Sequence, residues 1–299
     1  MVAIPRVSVI IATYNRSAAL RHAIASVLAQ TFTDFELLVV GDGCTDDSAT
    51  VVASFGDARI RWTNLAANSG HQSAPNNEGL CQARGELIAY LGHDDLWLPH
   101  HLEVLTAAID KGADMASGIA EIVGPDERRL DIAPAAAVFR PGVWLPPTGF
   151  MHRRLVTERL GGWRDYRELT VDPERDLVDR ALAAGFRLVL LPRLTAVKFP
   201  AAWRCNAYGN RPDDEQANWL ARIVSDPDIE RHEMVRLIHA GKHGQMPRSR
   251  PYRQLWRELA RETPAWFASY IRRARIRLAG KGAKIEAARR HKGLPPNPG

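Results

Sequence analysis

The feature that most constrains this chain is an alternation within its first 115 residues, where short, wholly apolar runs are each followed by a single amphipathic segment. Residues 7–14 read VSVIIATY, which suits a strand covered on both faces of a parallel sheet better than one with a wet side. Asn15-Arg16-Ser17 breaks the run. With Ser17 read as the N-cap, Leu20, Ile24, Val27 and Leu28 recur at helical spacing and predict one buried helix face that ends near Thr31. The pattern predicts a strand over 35–40, a helix over 47–54, a strand over 59–63, a helix over 73–84 and a third buried strand over 86–91. Such an order implies βαβ crossovers and a doubly wound α/β sheet, whose ligands bind beyond the carboxyl ends of the strands.

Residues 124–147 have no clear period and are expected to form a loop or a pair of short strands. Helices over 153–160 and 174–184 and a strand over 186–191 complete the same unit. Beyond Pro200 the chain turns helical and basic: residues 1–199 hold 20 Lys/Arg against 24 Asp/Glu, and residues 200–299 hold 20 against 10. This divides the sequence into a sheet domain, 1–208, and a basic helical region, 209–299, with a frayed Pro-rich end. A composition of 45% apolar and 25% charged residues excludes collagen-like and wholly disordered chains. No run of 18 apolar residues occurs, and Pro5 and Arg6 interrupt any signal-peptide core, so a cytoplasmic protein is expected, peripheral at the inner face of the membrane if the basic region binds it. Cys44, Cys81 and Cys205 are widely spaced and read as reduced thiols.

Three polar clusters follow the three buried strands: Thr13-Tyr14-Asn15-Arg16, Gly41-Asp42-Gly43-Cys44-Thr45-Asp46 and Gly92-His93-Asp94-Asp95. In a parallel sheet they share one edge. Asp42 can accept N–H groups from a nucleobase, and Asp94 with Asp95 offers hard oxygen ligands for Mg²⁺ or Mn²⁺ beside substrate phosphates. One crevice would then hold both ends of a nucleoside diphosphate. The simpler alternatives are that Asp94 or Asp95 caps a helix beginning at Pro99 and that Asp42-Gly43 is only a turn. His71, His93, His100 and His101 lack the partners of a zinc site, and Trp97 and Trp163 are either packing residues or sugar platforms.

VSVIIATYNR, SVLAQTFTDFELLVVGDGCTDDS and NSGHQSAPNNEGLCQARGELIAYLGHDDLWLP, in that order, resemble the amino-terminal half of the family 2 glycosyltransferases. The likeness weakens through MHRRLVTERLGGWRDY and PERDLVDRALAAGFRLVLLP and is not traced past about Tyr208. It implies a GT-A-like fold, a doubly wound, mixed but mostly parallel sheet with a helical C-terminal appendage, and transfer of a sugar with inversion. It implies that Thr13, Tyr14 and Arg16 line the nucleotide pocket, that Asp42 reads the base, and that Asn77 and His93 complete the donor contacts. Asp94 takes the place of the metal-binding carboxylate of the family's D-x-D pattern, with Asp95 beside it, so Mn²⁺ or Mg²⁺ is the expected cofactor. Two positions depart from the pattern: Gly41 and Gly92 stand where the family usually carries Asp. An inverting transfer also needs a carboxylate base; Glu174 occupies the matching position, Asp172 is the reserve candidate, and Asp176 is expected to cap its helix or pair with Arg180.

The implied partners are a nucleoside diphosphate-sugar donor, UDP favoured, and an acceptor hydroxyl, with a lipid-linked acceptor in view, as in polysaccharide or glycolipid synthesis. A nucleotidyltransferase is the enzymatic alternative, but ATYNRS lacks the glycines of a phosphate loop. A degenerate nucleotide-sugar-binding protein without catalysis is the other, kept open by Gly92. In the tail, Phe267, Ile271, Ala274 and Leu278 share one helical face with Arg272, Arg273, Arg275 and Arg277 off it, which suits residues 265–279 to an anionic bilayer; packing against the chain's own domain or a second copy is the alternative. These arginines are not interleaved with aromatics, so nucleic acid is not an expected partner. On this reading the region from 246 onward is dispensable for donor chemistry.

Overall fold

The first four apolar runs pair as β1 (Val7–Thr13), β2 (Phe35–Gly41), β3 (Ile60–Asn64) and β4 (Leu87–Gly92), parallel and in the order β3-β2-β1-β4. They are apolar throughout because both faces are covered. Val9, Ile11, Leu37, Val39 and Ala89 pack with Leu20, Ile24 and Val27 of α1 (Ser17–Leu28) and Leu102 and Leu105 of α4 (His101–Asp110). Ile10, Leu38, Ile88 and Tyr90 face the other way, onto Val156 of α5 (Arg154–Leu160) and Leu177, Val178 and Ala181 of α6 (Pro173–Ala183). Each such aliphatic side chain stabilises the fold by roughly 1.5–3 kcal/mol relative to exposure. The crossovers are completed by α2 (Ser48–Ala53) and α3 (Ser73–Gln82). The molecule is known from a computed structural model that describes residues 4–125, 130–133, 144–204, 208, 213–242 and 282–294.

The second half of the sheet is mixed. β8 (Phe150–Arg153) lies antiparallel between β4 and β6 (Met115–Val123), and β6 runs parallel to β9 (Leu188–Lys198) and antiparallel to β7 (Leu130–Ala133). β9 in turn pairs with the two-residue β5 (Leu96–Trp97). The expected GT-A-like α/β sheet, mixed and with its first four strands all parallel, is therefore present. β5, β6 and β8 were not predicted: two are too short for a period, and β6 carries buried Ser117 and Glu121 in its apolar run. β9 extends beyond the predicted 186–191 because it continues through the exposed Pro192-Arg193 step that interrupts the pattern.

α7 (Asp214–Ser225) and α8 (Ile229–Lys242) do not stand apart from the sheet; Trp219, Ile223, Ile229 and Leu237 close a core with Leu96, Leu98, Val197 and Phe199. α9 (Ala283–His291) rests on the segment between α5 and α6, where the Tyr166 hydroxyl donates to Glu286 and the Gly282 N–H donates to the Leu169 carbonyl at 3.0 Å. Residues 265–279, the proposed membrane helix, lie outside the described residues. Among the described residues no helix is long and apolar enough to cross a membrane, and Cys44 and Cys81 are free thiols.

Candidate active site

Register fixes where the three loops open. Thr13 pairs with Gly41 and Ala12 with Gly92, so all three clusters emerge side by side at the carboxyl edge. The first two loops are then tied together by side chains. Asn15, at φ +43°, accepts the Thr45 N–H at 2.7 Å and the Asp46 N–H at 3.2 Å through Oδ1. Asp46 accepts the Ser17 N–H at 3.1 Å and the Ser48 N–H at 3.1 Å. The start of α1 is thus satisfied from the neighbouring loop, not by Ser17, whose predicted cap is not formed.

Thr13, Tyr14, Asp42 and His93 line one cleft together with His71, Tyr208 and Arg289. Asp42 is oriented by the Ser69 N–H on Oδ1 and the Asn68 amide on Oδ2, both at 2.9 Å, with the Ser69 hydroxyl and the Gly70 N–H also acting on it. Burial raises its carboxyl above the usual range, against the Ser69 and Gly70 hydrogen bonds and the charge of Arg289. The Arg16 guanidinium lies 5.9 Å from the centre of the Tyr208 ring, and that ring also meets Tyr14 and His93. His93 donates Nδ1–H to the Ala12 carbonyl at 3.2 Å, and its buried Nε2 has no partner among the described residues. Burial holds its imidazole below the usual value.

Asn77 corrects the sequence reading. It is turned away from both clefts and clamps Trp163, donating to its carbonyl at 2.8 Å and accepting its N–H at 2.9 Å. One position along α3 the helix has turned by about 100°, and Asn76, buried with an unpartnered amide nitrogen among the described residues, faces the larger cleft. Trp163 and Trp97 are both buried packing residues.

The larger cleft, about 720 Å³, adjoins the first and is lined by Gly92, His93, Asp94, Asp172, Glu174 and Lys198, among others. Here the two adjacent aspartates part. Asp95 is fully buried and accepts from Lys198 Nζ at 2.8 Å, the Phe199 N–H at 3.0 Å and the Thr148 hydroxyl. Its oxygens are committed to the protein, so the expectation that it binds metal is corrected: it joins β5 and β9. Asp94 faces the cleft, and among the described residues its carboxylate makes no hydrogen bond or ion pair. Burial works to raise Asp94, but His93, Lys198 and Arg16 outweigh it and hold the carboxyl below its usual range. Its backbone carbonyl is held by Gln216 of α7 at 3.2 Å. Neither aspartate caps a helix, since α4 begins at His101.

Both departures at glycine have a steric cause. A Cβ on Gly92 would lie 2.6 Å from Asp95 Oδ2, and one on Gly41 would lie 2.4 Å from Asn64 Oδ1. Asn64 is itself pinned to the Cys44 N–H at 2.8 Å and the Cys44 carbonyl at 3.0 Å. An Asp at either position would displace an inward-facing group that holds the edge of the site. Of the two adjacent aspartates only Asp94 is then open to a divalent ion, which fits an ion that takes most of its ligands from water and substrate phosphates. Among the described residues no cluster of three or more His, Cys, Asp or Glu exists that would hold a metal unaided.

Glu174, in the first turn of α6, faces the same cleft and accepts the Trp144 indole N–H at 3.4 Å. Burial first, and then the charge of Asp172, raise its carboxyl. Asp176 accepts from Arg180 Nε at 2.8 Å, the predicted i+4 pair. Glu174 is thus a partly buried carboxyl raised above its ordinary value, a property that suits a proton acceptor.

Residues 8–160 match the family described as Glycosyl transferase family 2. The chain belongs to that family. Within it, the chain is 33% identical over 173 residues to an uncharacterized glycosyltransferase of Nostoc sp. (52% of this chain, 53% of the other). It is 36% identical over 113 residues to the GalNAc(5)-diNAcBac-PP-undecaprenol beta-1,3-glucosyltransferase of Campylobacter jejuni (36% of each). The chain spans about half the length of the first of these relatives. Its fold is similar to that of S. aureus TarS 1–349 in complex with UDP-GlcNAc, with a TM-score of 0.55 at 19% identity over 75% of this chain and 67% of the other. It is also similar to the mannosyltransferase PcManGT of Pyrobaculum calidifontis in complex with GDP-Man and Mn2+, with a TM-score of 0.51 at 21% identity over 66% and 57%. These likenesses establish the GT-A-like architecture of this family 2 member.

Several cleft residues carry no sequence signal of their own. Lys198 ends β9; Tyr208, Arg289 and Lys292 come from beyond the part of the chain that resembles the family. Arg289 is buried and donates to the Gly70 carbonyl and to Asn68 Oδ1. His71 beside it is held neutral, pushed down to about 3 by burial, with Lys292 and Arg289 adding to the effect.

Proposed function

We propose that this chain transfers a sugar from a nucleoside diphosphate donor to an acceptor hydroxyl with inversion at the anomeric carbon. The observation that carries the reading is the adjacency of two clefts, one lined by Asp42 and the other by Asp94 and Glu174, with His93 shared between them. Asp42 accepts N–H groups of the base; Thr13, Tyr14, Arg16 and His93 surround the nucleoside. Asp94 would hold Mn²⁺ or Mg²⁺ together with the donor phosphates, and the ion supplies neutralising charge to the leaving diphosphate. Glu174 takes the proton of the attacking hydroxyl, and Asp172 keeps it basic by raising its carboxyl. UDP is the first donor to test, given the UDP-GlcNAc complex of TarS.

For the acceptor we favour a lipid-linked hydroxyl. The larger cleft is also lined by Trp144, Trp203, Ile122 and Ile132, apolar surface suited to stacking and to hydrocarbon, and the Campylobacter relative is named for an undecaprenol-linked substrate. Residues 265–279 would hold the protein at an anionic, inner membrane surface. Isothermal titration with UDP, GDP and dTDP, followed by assay of the matching sugar nucleotides, tests the donor reading; binding without turnover on any acceptor would leave the chain a nucleotide-sugar-binding protein. Cosedimentation of the full chain with anionic vesicles, lost as salt rises, tests the membrane reading.

A further inference from the structure

The donor residues expected from sequence all precede Tyr208, yet the clefts are completed by a segment nearly two hundred residues from the nearest nucleotide loop. Arg289 on α9 donates to Asn68 Oδ1 at 3.2 Å, and the amide nitrogen of the same Asn68 donates to Asp42 at 2.9 Å. The C-terminal helix is thereby fastened to the loop that orients Asp42, and the Gly70 carbonyl gives it a second anchor on the same loop. One residue past the end of this helix is Lys292. Its backbone is fixed from both sides, its N–H donating to Ala288 and Arg289 carbonyls at 3.1 Å and its carbonyl accepting the Tyr208 N–H at 3.4 Å.

The Lys292 side chain lines the larger cleft with Asp94, Glu174 and Lys198. Lys198 is held by Asp95 at 2.8 Å; among the described residues Lys292 has no ion pair. Asp94 and Glu174 act on this ammonium only across the cleft, so a half-buried cation with a fixed backbone and no ion pair among the described residues is left able to take an anion that enters between them. A lysine meets phosphate as a compact point charge with three donors. The adjoining cleft, which shares Tyr208 and Arg289 with the larger one, is where the donor reading places the nucleoside.

We propose that Lys292 is a ligand of the donor diphosphate, carried into the site by a C-terminal helix that Arg289 fastens to the base-reading loop. The proposal rests on the donor reading above and assigns part of the donor site to residues 282–294. Arg289 is then a positioning residue, acting on Asp42 through Asn68, whereas Lys292 contacts the ligand.

The test is calorimetric titration of the full chain and of Lys292→Gln with UDP, GDP and dTDP, with their nucleosides, and with inorganic pyrophosphate, each in EDTA and in Mn²⁺. Arg290→Gln serves as control, because Arg290 is exposed on the same helix. The expected result is at least a tenfold loss of diphosphate and pyrophosphate affinity in Lys292→Gln, in EDTA as well as Mn²⁺, with nucleoside affinity and thermal midpoint unchanged and Arg290→Gln like wild type. Equal diphosphate affinity in wild type and Lys292→Gln would overturn the proposal and leave the donor reading standing. An equal loss of nucleoside and diphosphate affinity would overturn it in favour of a structural role for Lys292. If wild type binds none of the nucleoside diphosphates, the donor reading fails and this proposal fails with it.

Discussion

Lys198 Nζ lies 2.8 Å from Asp95 Oδ2, and this contact ties one of two consecutive aspartates into the protein while its neighbour Asp94 faces the cleft. Asp95 is inaccessible, whereas Asp94 opens on the cleft. Removing one partner of a buried pair leaves the other charge uncompensated, at a cost of about 3–5 kcal/mol. Asp95→Asn should therefore lower stability by about that amount in urea unfolding. Asp94→Asn should cost less, since the nearby His93, Lys198 and Arg16 favour the Asp94 carboxylate but it makes no hydrogen bond or ion pair among the described residues, and it should abolish Mn²⁺-dependent nucleotide binding and transfer. Wild-type activity in Asp94→Asn would refute the metal assignment.

Glu174→Gln should keep donor affinity and lose kcat by about 10²–10⁴-fold, because a general base acts in the transition state and not on the bound nucleotide. A base works when deprotonated. The Glu174 carboxyl is raised above the ordinary value of 4.5, so kcat should be full at neutral pH and fall as pH drops through a point above that value. The acid limb should vanish in the variant. A fully active Glu174→Gln would move the role to Asp172.

Asp42→Ala should weaken binding of the bare nucleoside as much as that of the diphosphate, by about 10–100-fold, the range for hydrogen bonds to a charged group. Asn77→Ala should do the opposite: destabilise by about 1–3 kcal/mol, since the Trp163 N–H and carbonyl lose their partner, with donor affinity unchanged. Paired nucleoside titrations and urea melts of the two variants separate the roles.

Adjacent residues such as these show where the sequence is legible. The strand-end loops could be placed because runs like VSVIIAT are covered on both faces and can only be central strands. Asn76 and Asn77 could not be told apart, because α3 reads SAPNNEGLCQ and has no apolar stripe to set its rotational phase. The separation of Asp94 from Asp95 depends on Lys198, more than a hundred residues later, and the contribution of Arg289 and Lys292 depends on how a basic tail folds back, which its composition describes equally well as a solvated or membrane-bound helix. β6 and β8 were hidden by buried polar residues and by brevity.

The fold-back of the tail reverses one expectation. A chain ending at residue 281 loses the Glu286 contact to Tyr166 and the Arg289 contacts to Asn68 and Gly70. It should therefore lose donor affinity even with residues 265–279 intact. Titration with UDP, GDP and dTDP checks this; unchanged affinity in the truncated chain would show that the first 281 residues bind the donor unaided.

The central claim is that this family 2 member is an inverting, nucleoside diphosphate-dependent sugar transferase with Glu174 as base. Proton NMR of the purified full chain with Mn²⁺ and UDP-, GDP- or dTDP-sugars, following the anomeric signals of donor and product, tests it most directly. The account predicts that one donor is consumed, that the first-formed product has the anomeric configuration opposite to the donor, and that Glu174→Gln binds that donor without consuming it. Retention of configuration, or wild-type turnover by Glu174→Gln, would contradict the account.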